Sequence, residues 1–275
     1  MIDRSFKVLP STERGVLLIH GMTGAPGEMK PLAKRLIRRG FSVACPQLAG
    51  HGADQATLLA TGWRDWLDSV VRAYDAFAAE VKEVSVAGVC AGGALGLLLA
   101  RERPAVRAAA VYSMTFEYDG WNMPRWAAAA PAIQLMANLP GVRNLSFAEP
   151  WPFGLKDERL RELAAVAPES LIEGALPRMP LGSLYQLYRL GRQVERQGAG
   201  IFTPTLILHA REDDMSHPRN AARLQAALGG SVEMRLLEDS FHMIHVDKER
   251  DVVADMTARF FSDHAQIGRD ETIDA

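Results

Sequence analysis

Apolar residues fall in short unbroken runs separated by longer amphipathic stretches. Gly15–His20 reads Gly-Val-Leu-Leu-Ile-His, the continuous apolar run of a parallel strand covered on both faces. Glu28–Arg39 has helical spacing, with Pro31 in its first turn and Arg38-Arg39-Gly40 at its end, which match helix start and stop signals. Phe41–Pro46 reads as a second strand, and Thr61 stands where an N-cap would open a long helix through about Val81. Val84–Val89 follows as a strand, Ala91–Glu102 as a helix and Arg107–Met114 as a strand. Further on, Pro204–Ala210 and Val232–Leu237 read as strands, with helices around Pro218–Leu228 and from about Lys248 to Phe261. Strands alternating with helices predict an α/β class with a mostly parallel central sheet and helices on both faces.

Between residues 115 and 200 the alternation lapses. Trp121, Trp126 and Trp151 fall there, together with Pro131, Pro140, Pro150, Pro152, Pro168, Pro177 and Pro180. A structureless loop of that length is uncommon in a compact domain, and helical patterns such as Leu181–Gln197 fill part of it. The expected organisation is a core of residues 1–114 and 201–275 with a helical cap, residues 115–200, inserted in it.

The chemistry gathers at the junction of Val84–Val89 with the following helix, where Gly88-Val89-Cys90-Ala91-Gly92 stands. A strand, a sharp turn and a helix lift a nucleophile above the edge of a sheet. The turn strains its central residue and admits only small residues two positions to either side. Here a thiol occupies the place where that motif has a serine. Cys90 opens a helix, and a helix N-terminus with a neighbouring imidazole can lower a thiol pKa several units from about 8.5. The expected resting state is a thiolate–imidazolium pair.

The partners of such a nucleophile follow it in the order acid, then histidine. Ala210-Arg211-Glu212-Asp213-Asp214 lies just past one strand, offering Asp213 or Asp214. Glu238-Asp239-Ser240-Phe241-His242 lies just past the next. Open parallel sheets collect catalytic groups at these carboxyl ends. In that arrangement His242 takes the thiol proton while a carboxylate fixes its tautomer. Oxyanion donors are expected from the backbone N–H of Ala91 and of Met22, the latter in the turn His20-Gly21-Met22-Thr23-Gly24.

With these motifs in order, the chain resembles bacterial carboxylesterases and monoacylglycerol-lipase-like hydrolases of the α/β-hydrolase superfamily. The likeness rests on His20-Gly21-Met22-Thr23-Gly24, Gly50-His51-Gly52, the turn at Cys90, Ala210-x-x-Asp213 and His242. It spans roughly Gly15 to Phe261 and lapses in the cap. It implies an α/β-hydrolase fold, with Cys90 as nucleophile, Asp213 as acid, His242 as base, and Met22 and Ala91 as oxyanion donors. Asp214 would then be a neighbour that steadies the loop. The chain departs from the family at Cys90, a replacement of serine also found in dienelactone hydrolases and polyester synthases of related fold. It departs again at Pro46-Gln47-Leu48-Ala49, where many relatives carry an acidic residue.

The remaining residues narrow the expectation. Met114, Trp121 and Trp126 are expected to line an apolar acyl pocket. His20 is expected to shape the oxyanion turn and His245 to be a neighbour without a catalytic part. His51, His209 and His217 lack metal-ligand spacing, so neither metal nor cofactor is expected, and Cys45 reads as core packing. The 31 basic and 33 acidic residues give a net charge of −2, which leaves no electrostatic case for nucleic acid. No stretch has the length of a signal peptide core or a membrane span. Two cysteines make no disulfide framework, and a cytoplasmic location with a small-molecule acyl substrate is expected.

The leading functional expectation is hydrolysis of an ester or thioester with an apolar acyl group through an acyl intermediate on Cys90. The alternative is an acyltransferase or cyclase that passes the same acyl group to a nucleophile other than water. A ligand-binding protein on a hydrolase scaffold is a third reading, against which the joint presence of nucleophile, acid, base and oxyanion turn stands.

Overall fold

The computed structural model describes residues 2–123, 136, 139, 141–148, 150–166 and 172–265. Strand β1 (Phe6–Val8) is followed by β2 (Arg14–Ile19), α1 (Lys30–Arg38), β3 (Ser42–Cys45), α2 (Gln55–Leu59), α3 (Trp63–Ala78), β4 (Glu83–Val89), α4 (Ala91–Glu102) and β5 (Ala109–Tyr112). After the insertion come β8 (Thr205–Ala210), α7 (Arg219–Ala227), β9 (Val232–Leu237) and α8 (Arg250–Asp263). The described part of residues 115–200 holds β6 (Ser146–Ala148), α5 (Glu158–Val166), β7 (Arg178–Pro180) and α6 (Leu181–Gln197).

Seven strands form one sheet in the order β1-β3-β2-β4-β5-β8-β9. All neighbours run parallel except β1, which pairs antiparallel with β3. Every residue of β3, β4, β5 and β8 is buried, so these strands are covered on both faces, as their unbroken apolar runs predict. Edge strand β9 alternates instead, with Glu233 and Arg235 exposed between half-buried Val232, Met234 and Leu236, and those outward charges blunt the edge.

The differences from the sequence reading have local causes. Strand β1 is three residues long and mostly exposed, too short and too polar to leave a periodic signal. Thr61 does not cap α3. Gly62 holds that position and its N–H donates to the Asp65 carboxylate at 2.8 Å. The Thr61 hydroxyl instead accepts from Trp66 Nε1 at 3.0 Å and donates to the Leu58 carbonyl at 2.9 Å. Helix α6, placed in the expected cap, packs on core helices α3 and α4, because one face of it, including Leu184, Leu187, Leu190 and Val194, is apolar and buried. Strands β6 and β7 pair antiparallel apart from the main sheet.

Candidate active site

The turn between β4 and α4 is set by backbone crowding. Cys90 has φ 50° and ψ −112°, a left-handed conformation that L residues rarely adopt. A Cβ on Gly88 would lie 2.3 Å from the Gly92 carbonyl carbon, and one on Gly92 would lie 2.2 Å from the Ile19 carbonyl oxygen. Both contacts are with backbone, which cannot move aside, so glycine is required at each. The Cys90 N–H donates to the Tyr112 carbonyl at 2.9 Å and ties the turn to β5. Ala91 opens α4, so its own N–H has no acceptor within the helix.

His242, on the loop after β9, carries the next part of the site. Its Nδ1 donates to both oxygens of Asp213, at 3.0 and 2.9 Å, and the same ring lines one cavity with the Cys90 sulfur. Burial works against the imidazolium, but the Asp213 charge and hydrogen bond, with Cys90, outweigh it and hold the His242 pKa well above its usual value. Burial likewise pushes the Asp213 carboxyl upward, and the charge and hydrogen bond of His242, with His209 and backbone N–H donors, bring it below the ordinary range. Asp213 Oδ1 also accepts from the N–H groups of Met215 and Ser216 at 2.9 and 2.7 Å. Asp213 is therefore held by four hydrogen bonds from His242, Met215 and Ser216.

Asp214 is turned elsewhere. Its oxygens accept from the Gly154 N–H at 3.0 Å and the His242 N–H at 3.3 Å, so it fastens the histidine loop without touching the imidazole. Burial, then the neighbouring Asp213 charge, raises its pKa to about 6. Sequence reasoning passed over His209, which is fully buried. It donates from Nε2 to the Ser216 carbonyl at 2.7 Å, and the same nitrogen lies 3.3 Å from Asp213 Oδ2. Its position four residues before Asp213, at the end of a strand, was the available signal.

The turn after β2 closes the other side. The Leu48 N–H donates to His20 Nε2 at 3.2 Å, so the ring hydrogen sits on Nδ1, which donates to the Gly21 carbonyl at 3.0 Å. Burial, then His51, lowers the His20 pKa to about 3, and the ring is neutral. The Gly21 N–H donates to the buried carboxylate of Glu28. Met22, Cys90 and His242 meet at a cavity of about 100 Å³ whose other walls include Tyr118, Leu176 and Met215.

The expected pocket residues are placed differently. Met114 is buried, its carbonyl accepting from Ser216 Oγ at 2.8 Å, and it lies behind the acid loop, outside this cavity. Trp121 is 59% exposed, with its indole N–H on the Glu212 carbonyl at 2.9 Å and its ring edge-on to Phe241, and it too is off the cavity wall. Trp126 lies outside the described residues. The apolar lining comes instead from Ile172, Leu176, Met215 and Met243, which carry no periodic or motif signal.

The pattern that defines the family described as "Serine aminopeptidase, S33" matches residues 10–249. The chain belongs to this family. Its fold is the α/β-hydrolase fold, and the family's name refers to a serine, whereas the strained turn here holds Cys90. Among characterised relatives of this S33 family chain, the thermostable monoacylglycerol lipase of Bacillus sp. (strain H-257) is 29% identical over 253 residues, covering 91% of each chain. The carboxylesterase of Bacillus subtilis (strain 168) is 25% identical over 247 residues, covering 88% of this chain and 89% of its own. A solved structure of the metagenome-derived lipolytic enzymes LipS and LipT superposes with a TM-score of 0.78 at 24% identity, covering 94% of this chain and 97% of that one. The Paleococcus ferrophilus monoacylglycerol lipase gives 0.77 at 17% identity, covering 96% and 100%. No described helix is long and apolar enough to cross a membrane.

Proposed function

We propose that this protein hydrolyses carboxylic esters or thioesters with an apolar acyl group through a covalent intermediate on Cys90. The observation that supports this reading most is the Asp213–His242 hydrogen bond at 2.9 Å, with His242 and Cys90 lining one small cavity with largely apolar walls. In the first half-reaction the sulfur attacks the carbonyl carbon, with its proton held on His242. The Met22 and Ala91 N–H groups face the developing oxyanion, and removing one such donor typically costs about 3 kcal/mol of barrier. The imidazolium then gives its proton to the departing alcohol or thiol. In the second half-reaction water attacks the acyl thioester, the carbon–sulfur bond breaks, and the acid leaves. Within the expected cap, the described segment with Ile172, Ala175 and Leu176 covers the acyl group. The relatives that act on monoacylglycerols and carboxylic esters favour an oxygen ester, and a reducing compartment such as the cytoplasm suits the two free cysteines.

The test is incubation with a p-nitrophenyl ester and an acyl thioester, followed by intact mass measurement and product analysis with and without added alcohol. An acyl mass on the wild-type protein, absent from Cys90→Ala, with free acid as product, is the expected result. Ester products formed with the alcohol in preference to acid would reassign the protein as an acyltransferase. Turnover retained by Cys90→Ala would remove the sulfur from the mechanism.

A further inference from the structure

His245 lines the same cavity as Met22, Cys90 and His242, yet it has no place in the line of catalytic groups. Its side chain is fully buried, and neither ring nitrogen has a hydrogen-bond partner. A buried polar group without a partner typically costs about 1–3 kcal/mol, and such groups in native folds call for a reason. Most of the cavity wall is apolar, through Val89, Ile172, Leu176, Met215 and Met243. The Thr23 hydroxyl is spent on the Met22 carbonyl, and the Glu28 carboxylate accepts from Gly21. His245 therefore brings an unspent donor and an unspent acceptor to a small, largely apolar space.

We infer that His245 is a second catalytic histidine, which holds the oxygen nucleophile that releases the acyl group from Cys90. The inference rests on the acyl-thioester reading above. His242 must stand beside both the departing group and the nucleophile that replaces it, since it gives a proton to one and takes a proton from the other. His245 follows three residues later on the same loop and lines the same small cavity as His242 and Cys90, so it borders that same place. A water molecule has two hydrogens to donate. One goes to His242 Nε2 and the other to the unprotonated nitrogen of His245, which aims a lone pair of the oxygen at the thioester carbonyl. The oxygen–carbon bond forms, one proton passes to His242, and the carbon–sulfur bond breaks with the electron pair returning to sulfur. The other water hydrogen stays on the product acid. This needs a neutral His245, and burial, then the His242 charge, lowers its pKa to about 3. A simple alcohol has one hydroxyl hydrogen, which goes to His242 and leaves the His245 acceptor empty. The arrangement thus favours water over alcohol, and acid over ester as product.

The experiment separates the two half-reactions. One equivalent of p-nitrophenyl butyrate is mixed with the protein; p-nitrophenol release reads acylation, and loss of the butyryl mass from Cys90 reads deacylation. His245→Phe, which keeps a ring of similar shape without its nitrogens, is expected to acylate within about threefold of wild type and to deacylate about 10–100-fold more slowly. His245→Gln, which retains a donor and an acceptor, is expected to recover most of the loss. In added methanol, His245→Phe is expected to give a several-fold larger share of methyl butyrate than wild type. His245→Leu is read in the same way if the phenylalanine variant does not fold. Equal slowing of both half-reactions, slowing of neither, or an unchanged methyl ester share would overturn the inference and leave the acyl-enzyme intact. Absence of any butyryl mass on the wild-type protein would refute the covalent reading itself, and this inference with it.

Discussion

Helix α4 begins just after Cys90 and α5 follows the segment pinned to Asp214 and Asp247, and they are built on opposite terms. Ten of the twelve residues of α4 are buried, while no residue of α5 is. Helix α4 is held by the sheet and by α3 and α6, so the position of Cys90 is fixed by the main apolar core. The segment leading into α5 is fastened by polar backbone contacts. The Gly154 N–H donates to Asp214, and the Lys156 and Asp157 N–H groups donate to the buried Asp247 carboxylate, each at 2.8 Å. Asp247 also accepts from Phe241 at 2.7 Å, and the Leu176 N–H donates to the Thr23 carbonyl at 2.8 Å. The described residues of 150–176 are thus fastened to the loop that carries His242 and to the turn at Thr23. Apolar burial sets the nucleophile, and a few hydrogen bonds set what lies over it.

The strongest way to break this contrast is at the crowded end of α4. Gly92→Ala places a methyl 2.2 Å from the Ile19 carbonyl oxygen and 2.6 Å from that of His20. Overpacking against fixed backbone typically costs 1–3 kcal/mol or more, and here the displaced strand end also carries the oxyanion turn. The expected outcome is a loss of at least about 3 kcal/mol in urea unfolding and of nearly all turnover. A variant with wild-type stability would show that the turn is softer than its contacts imply.

The next largest effect separates the two adjacent carboxylates. Asp213 touches the imidazole and Asp214 holds only the backbone around it. Asp213→Ala is expected to lower kcat/KM by about 10³-fold or more, by analogy with the loss of a triad acid. Asp214→Ala is expected to lose about tenfold. A reversed order would reassign the acid.

Which carboxylate does the work was legible only in part. The strands, the mostly parallel sheet and the positions of Cys90, Asp213 and His242 at strand ends could be read because buried parallel strands are continuous apolar runs and ligand-binding loops follow their carboxyl ends, whereas the order of the strands in the sheet could not. Residues 84–102 and 232–237 were legible because burial there is set by the sheet itself. Helix α6 was equally legible in extent, but its docking on α4 was not, since an amphipathic pattern does not say which surface it meets. Trp121 and Met114 misled because size and apolarity do not determine direction. One faces outward over Phe241 and the other sits behind the acid loop. Asp247 acts through contacts with residues about 90 positions away in sequence, which local spacing does not announce, whereas His209 sits four residues before Asp213 and could have been found from that spacing.

A smaller effect distinguishes the polar fastening by its pH dependence. The Asp214 pKa rises on folding from about 4 to about 6, so between those values the folded chain keeps a proton that the unfolded chain has released. Stability from this group is therefore fully present below about pH 4 and declines as pH rises toward 6. The change is on the order of 2–3 kcal/mol. The depressed Asp213 acts in the opposite sense, adding stability above the ordinary carboxylate range and losing it as pH falls. Urea midpoints of wild type and Asp214→Asn across pH 4–7 isolate the Asp214 share. The wild-type curve is expected to fall relative to the variant over that window, and parallel curves would show that Asp214 titrates normally.

The smallest effects sharpen the comparison most directly, because they set a clamp against a surface. Asp247→Ala leaves the N–H groups of Phe241, Lys156 and Asp157 without their shared acceptor; those of Lys156 and Asp157 are part-buried and can turn to water, so the loss is mainly that of the one buried donor on Phe241, typically about 1–3 kcal/mol. Leu163→Ala removes a larger apolar side chain from α5, but Leu163 is 41% exposed and substitutions at such positions usually stay within about 0.5 kcal/mol. If the insertion is fastened as the contacts indicate, Asp247→Ala lowers stability by at least about 1 kcal/mol while Leu163→Ala leaves it nearly unchanged. Equal losses would mean that α5 is held by apolar packing after all, and the distinction between the two helices would then be one of degree.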